Sequence, residues 1–247
     1  MFDHITIRVA DRAASERFYD IVLQTLGIDR SYRTNTISEW REFMITAADE
    51  DHPVTRRLHI GFVAPDHDRV DAFWRAGVEA GYRDDGKPGP RPGYGDDYYG
   101  GFLLDPDGNS AEACHHDNVR RDGGIVDHLW IRVADLEVAA AFYETIAPHA
   151  GLSRDPDVTN RAQYRGETGS FSLLPGEPTA YLHMAFPTRD AGAVHRFHEA
   201  ATEAGYHSNG EPGERARYHP GYYAAFVLDP DGSNIELVNH HRDQRPA

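Results

Sequence analysis

The chain contains a single cysteine, Cys114, so no internal disulfide can form, and a disulfide-stapled secreted scaffold is excluded. No apolar run approaches the ~20 residues that a membrane-spanning helix needs. Basic residues are scarce: 25 Lys and Arg stand against 40 Asp and Glu, a formal net charge of −15. Such a chain repels phosphate backbones and anionic lipid, so neither nucleic acid nor a membrane surface is expected as a partner. The opening Met1–Ile7 reads as a strand, with no basic segment leading into an apolar stretch. Together with the cysteine count this gives the expectation of a cytoplasmic protein without a signal peptide. Apolar residues make up 40% of the 247 positions, enough for packed cores in two ordinary domains.

What the chain does have is an internal repeat with a constant offset of 124 positions. His4 recurs as His128, Phe18-Tyr19 as Phe142-Tyr143 and His59 as His183. Tyr98-Tyr99 recur as Tyr222-Tyr223, Asp105-Pro106-Asp107-Gly108 as Asp229-Pro230-Asp231-Gly232, and Glu112 as Glu236. The expected domains are therefore residues 1–118 and 125–242. They are joined by a polar, glycine-containing linker at Asp117–Gly124 and followed by a frayed tail from Arg242.

Each copy halves again by plan. His4–Ala10 alternates as a strand, and Asp11 caps a helix running through Leu26 to a stop at Gly27. Weaker strand signals follow at Tyr32–Thr36 and Arg41–Ala47. The plan restarts with a strand at Arg57–Ala64 and a helix opened by Asp66 or Asp68 and ending at Gly81. A Gly/Pro-rich loop is expected from Gly86 to Gly95. A hairpin then closes the copy, Tyr98–Leu104 and Ser110–His116 around the Asp-Pro-Asp-Gly turn. The expected fold class is α+β, with four β-α-β-β-β units.

Alternation assigns faces. Ile5, Ile7 and Val9 oppose His4, Thr6 and Arg8; Leu129, Ile131 and Val133 oppose His128, Trp130 and Arg132. Leu58, Ile60 and Phe62 oppose His59, and Glu112 falls with Ser110, Cys114 and His116. Helices must cover the apolar faces, which leaves the His/His/Glu faces to line a concave surface. Two neutral imidazoles and a carboxylate can hold a divalent ion and leave positions open for substrate or water.

These residues resemble the vicinal oxygen chelate superfamily, the glyoxalase / bleomycin-resistance / extradiol-dioxygenase group. The likeness lies in Asp3-His4-Ile5-Thr6-Ile7-Arg8-Val9, Leu58-His59-Ile60-Gly61-Phe62 and the Glu112 that follows the Asp-Pro-Asp-Gly turn, with their repeats at Asp127–Val133, Leu182–Phe186 and Glu236. The resemblance implies two tandem glyoxalase-like domains with cup-shaped mixed sheets. It also implies a divalent metal (Fe, Mn, Ni, Zn or Co) held by His4, His59, Glu112 and by His128, His183, Glu236. In some relatives units are exchanged, so His4 with His183 and Glu236, and His128 with His59 and Glu112, is an equally open pairing. A fourth ligand from Glu42 has no partner in the second copy, where Gly166 stands. His52, a position of interest for dioxygenases, is replaced by Gly176.

Four further groups complete the candidate site. Arg8 and Arg132 can bind a substrate carboxylate or form surface ion pairs. Trp130 suits a flat ligand. Tyr98 and Tyr222 can donate hydrogen bonds in catalysis or simply pack, and His116 and His240 are candidate acid/base groups or solvated strand ends. His219 replaces Gly95, so the two rims differ. The functional expectation is a metal-dependent isomerase, lyase or dioxygenase acting on a small oxygen-rich molecule, in a chain that can form a homodimer. The alternative is a metal-free protein that sequesters an antibiotic-like or aromatic ligand.

Overall fold

A computed structural model describes residues 1–117, 124–156 and 160–240. The linker positions 118–123 and the expected frayed tail lie outside the described residues. All four β-α-β-β-β units are present. The first comprises β1 (His4–Val9), α1 (Arg12–Gln24), β2 (Tyr32–Arg33), β3 (Ile37–Trp40) and β4 (Phe43–Ala47). The second comprises β5 (His59–Val63), α2 (His67–Glu79), β6 (Arg83–Pro90), β7 (Tyr99–Leu104) and β8 (Ser110–His115). The third runs through β9 (Val126–Val133), α3 (Leu136–Ala150), β10 (Ser153–Arg154), β11 (Ala162–Arg165) and β12 (Ser170–Pro175). The fourth runs through β13 (His183–Pro187), α4 (Ala191–Glu203), β14 (Ser208–Glu214), β15 (Tyr223–Leu228) and β16 (Asn234–Asn239).

Local chemistry accounts for these elements. Asp11 is extended and its carboxylate accepts from the Ala14 N–H, capping α1; Asp66 does the same for α2 through the Arg69 N–H. Gly151 ends α3 in the left-handed conformation, φ 66°, that a Cβ disfavours. Ile5, Ile7 and Val9 are fully buried on one face of β1. They join Phe18, Phe62, Leu129, Phe142 and Phe197 in a continuous core between sheets and helices. Each such side chain contributes roughly 1.5–3 kcal/mol by leaving water.

The strands form two eight-stranded sheets, and neither belongs to one copy. The first has the order β14-β15-β16-β13-β1-β4-β3-β2, the second β10-β11-β12-β9-β5-β8-β7-β6. Each sheet takes one unit from each copy, joined at its centre by an antiparallel pair. Thr6 faces His183 across β1 and β13, and Trp130 faces His59 across β9 and β5.

Two sequence expectations change. The region from Gly86 to Gly95 does not begin as loop: β6 extends to Pro90 and pairs with β7 through register shifts. An outermost, bulged strand tolerates the glycine and proline that argued against it. The strand expected at Tyr32–Thr36 shrinks to two residues, and the pairing moves to Ile37–Trp40, where Ser38 and Trp40 turn inward.

The Asp-Pro-Asp-Gly turn is an anchor. Asp105 accepts from the Asp107 and Asn109 N–H groups and from the Tyr19 hydroxyl at 3.0 Å, which ties the hairpin to α1. Asp229 and Tyr143 repeat the bond at 3.1 Å. The turn thereby fixes where β8 and β16 start, and so where Glu112 and Glu236 stand.

Candidate metal centres and the cups around them

The sheet pairing decides which residues meet. His4 gathers with His183 and Glu236, and His128 gathers with His59 and Glu112, so the exchanged pairing is the one in the structure. In the first cup, His4 Nε2 lies 3.0 Å from His183 Nε2 and 3.5 Å from Glu236 Oε2, while His183 Nε2 lies 3.1 Å from that oxygen. In the second, the corresponding separations are 3.1 Å between His59 and His128, and 2.9 and 3.3 Å from these to Glu112 Oε2. Ligands at ~2.1 Å from a shared ion, at angles between square and tetrahedral, lie roughly 3.0–3.4 Å apart. Both triangles have that size.

The outward nitrogens are also engaged. His4 Nδ1 donates to Asp3 at 2.9 Å, and His128 Nδ1 donates to Asp127 at 2.9 Å. His183 Nδ1 lies 3.1 Å from the Asn234 carbonyl and 2.8 Å from the Asn234 side-chain amide nitrogen, and His59 Nδ1 meets the Ser110 hydroxyl at 3.1 Å. A neutral imidazole that donates from Nδ1 presents a lone pair at Nε2. With the rings in that tautomer, each centre points two lone pairs and a carboxylate oxygen at one spot; His4, His128 and both glutamates are buried, and His59 and His183 partly so. Such a convergence needs positive charge at its middle, a proton or a metal ion. The second carboxylate oxygen is fixed separately: Tyr98 donates to Glu112 Oε1 at 2.9 Å, and Tyr222 to Glu236 Oε1 at 2.6 Å.

The electrostatics agree with this. Burial alone would raise the Glu112 carboxyl, but hydrogen bonds from His128 and His59 outweigh it and hold the group at about 2. Burial works against a charged His128, yet Asp127 and Glu112 together push it up to about 10. His4 shifts the same way, its burial overcome by Asp3 and Glu236. Burial, with Cys114 and Glu112 beside Tyr98 and Glu236 beside Tyr222, drives both phenols far above their ordinary range, so both keep their protons and act as hydrogen-bond donors to the glutamates. Tyr98 and Tyr222 thus hold the glutamates. His116 and His240 stand behind the ligand histidines, bonded to Asp127 at 3.2 Å and to Asp3 at 2.7 Å.

Asp3 and Asp127 are the residues that sequence reasoning passed over, although an Asp directly before the strand histidine in both copies was the available signal. A carboxylate on the far nitrogen of a ligand histidine is the usual support of a metal site. His219 also gains a place, 2.9 Å from His240, which extends the first cup's chain to the rim. Glu42 is not near either centre's ligand atoms; its carboxylate accepts from the Ile125 and Val126 N–H groups. His52 is exposed and pairs with Asp49.

The surroundings of the two centres differ. The first cup is one cavity of about 1220 Å³ that reaches His4, His183, Glu236, Thr6 and Arg8 together. Arg8 makes no ion pair among the described residues, and burial lowers its pKa. In the second cup Trp130 lies 5.5 Å from the His59 ring and 5.2 Å from Tyr94, ring centre to ring centre. Arg132 borders a different cavity from His128 there.

Residues 1–113 match the model of the Glyoxalase/Bleomycin resistance protein/Dioxygenase superfamily. No curated protein matches the chain. Glyoxalase I from Zea mays shares the fold over 97% of this chain and 92% of its own, with a TM-score of 0.67 at 18% identity. A candidate dioxygenase from Bacillus subtilis does so over 98% of this chain and 87% of its own, with a TM-score of 0.64 at 16% identity. Among the described residues no helix is long and apolar enough to cross a membrane. The matched segment, residues 1–113, carries the strand-borne His4 and His59 and the Asp-Pro-Asp-Gly hairpin, and is similar to the glyoxalase/bleomycin-resistance/dioxygenase superfamily domain; the second copy repeats its plan of elements.

Proposed function

We propose that the protein is a divalent-metal-dependent enzyme acting on a small oxygen-rich molecule. One ion would be held by His4, His183 and Glu236, a second by His59, His128 and Glu112. The observation that carries this reading is the convergence of two imidazole Nε2 atoms and one carboxylate oxygen, 2.9–3.5 Å apart, with the remaining ring nitrogens already bonded. A divalent ion at such a point supplies Lewis acidity toward a substrate carbonyl or alkoxide oxygen.

The chain's own residues would do the rest. Tyr98 and Tyr222 keep each glutamate turned, with Oε2 toward the histidines. Asp3 and Asp127 fix the ring orientation of His4 and His128 and raise their basicity as ligands. Arg8 offers an unpaired guanidinium in the first cup, on the face of β1 that carries His4. Four residues along a strand separate them by ~13 Å at the backbone, a span that suits a substrate with oxygens at one end and an anionic group at the other. His240, joined to His219, could pass protons between the rim and Asp3.

Elemental analysis of untagged protein purified without added metal tests the reading. About two ions per chain are expected. Iron would direct assays to oxygenation, and nickel, zinc or manganese to isomerisation. No bound metal and no uptake on titration would overturn it, and would favour sequestration of an aromatic ligand instead.

A further inference from the structure

The two centres have the same ligands but not the same access. In the first cup all three ligand residues border a single cavity. In the second, the space is divided into cavities of about 550 and 440 Å³; His128 borders one, His59 the other, and Glu112, 1% exposed, borders neither. Trp130 and Tyr94 line both halves and form the wall between them. Trp130 is directly across from His59 in the sheet, as Thr6 is from His183. Its indole meets the Tyr94 ring edge to face at 82°, 5.2 Å away, and carries the Arg161 guanidinium at 5.9 Å. Tyr94 and its first-cup equivalent, Tyr218, both pack on the hairpin tyrosine, Tyr98 at 5.3 Å and Tyr222 at 4.9 Å; the first cup has Thr6 where Trp130 stands, so there, among the described residues, no second ring meets the rim tyrosine.

We propose that Trp130 decides what each centre can take: the centre at His4, His183 and Glu236 admits an oxygen-chelating ligand of aromatic size, and the centre at His59, His128 and Glu112 holds its ion but is closed to that ligand. The inference rests on the metal reading above. A wall of two aromatic rings and a cation resists displacement, since the pairs stabilise one another beyond the area they bury. The substrate-handling cup is then the one that also owns the unpaired Arg8 and the His219–His240 chain, and the second cup, where no single space reaches all three ligand residues, holds its ion without that ligand.

The test is a titration of cobalt-loaded protein with benzohydroxamate, a bidentate oxygen chelator, followed by the cobalt absorption bands and by calorimetry. Wild type should bind two cobalt ions and one benzohydroxamate. Trp130→Thr should bind two ions and two benzohydroxamates. Thr6→Trp, which places an indole in the open cup, should keep two ions and bind none. Two benzohydroxamates on the wild type, or one on a folded Trp130→Thr with both ions in place, overturns the inference while leaving the metal reading intact. Failure to take up cobalt overturns the metal reading and this inference with it.

Discussion

His4 and His183, 179 positions apart, bring their Nε2 atoms to 3.0 Å. Their strands are neighbours because β1, which has β4 of its own unit on one side, pairs on the other with β13 of the second copy and not with β5 of its own. Each centre therefore stitches the first copy to the second, and an ion bound there would stabilise the arrangement of the copies as well as each cup. Chelation should lower the melting temperature of the whole chain in one transition, because ligand binding to the folded state alone adds to its stability. Two separate transitions, only one of them sensitive to chelator, would count against the stitching.

The supporting carboxylates should matter nearly as much as the ligands. Asp3→Ala is expected to weaken the first-cup ion by about 10–100-fold and leave the second unchanged; Asp127→Ala should do the reverse. Competition against a chromophoric chelator reads both affinities. Unchanged binding in both variants would show that the His4–Asp3 and His128–Asp127 bonds play no part in holding metal.

Much of this was legible in the residues. The offset of 124 exposed the duplication, alternation in β1 and β9 put the histidines opposite the core, and Asp11 and Asp66 marked the helix starts. The partnership of units was not legible, for a physical reason: duplication gives β1 and β9 the same face pattern, so either could pair with β5 or with β13. Edge strands β6 and β14 were hidden by glycine and proline, which the outermost position tolerates. The wall in the second cup depends on where the loop carrying Tyr94 comes to rest against Trp130, a contact 36 positions long that no local pattern encodes.

Protons and metal compete for the centres, and this sets different pH slopes with and without metal. In metal-free protein, ionised Glu112, held at about 2 against an ordinary 4.5, contributes stability that is complete above 4.5 and lost as pH falls toward 2. Protonated His128, raised to about 10 against an ordinary 6.5, contributes stability that is complete below 6.5 and lost as pH rises toward 10. Metal-free protein should therefore lose stability steadily from about pH 6.5 upward. With excess metal the decline should vanish over about pH 6.5–8.5, because ion binding releases the His128 proton and strengthens with pH as fast as the metal-free protein weakens. Melting curves with chelator and with metal across that window make the comparison; parallel slopes would contradict the competition.

Gly61 offers a selective lesion. It faces His128 across the sheet, and a Cβ there would sit 2.3 Å from His128 Cε1 and 2.5 Å from Nδ1. The same place in the first cup is Ala185, opposite His4, where the ring is set to accommodate a methyl group. Gly61→Ala should push the His128 ring off its present position and weaken the second-cup ion by about tenfold or more, consistent with the 10–100-fold cost of disturbing a ligand's support. The first-cup ion should be unaffected, and calorimetry with one added metal resolves the two affinities. An unchanged second-cup affinity would mean that the ring moves aside without loss.

If each ion is shared between the two copies, the metal stoichiometry of two double variants will show it. His4→Ala with Glu236→Ala removes two ligands of one centre, while His4→Ala with Glu112→Ala removes one ligand from each. The account predicts one tightly bound ion per chain in the first variant and none in the second. The opposite result, no ion in the first and one in the second, would place His4 and Glu112 at the same metal and contradict the pairing on which the proposed function rests.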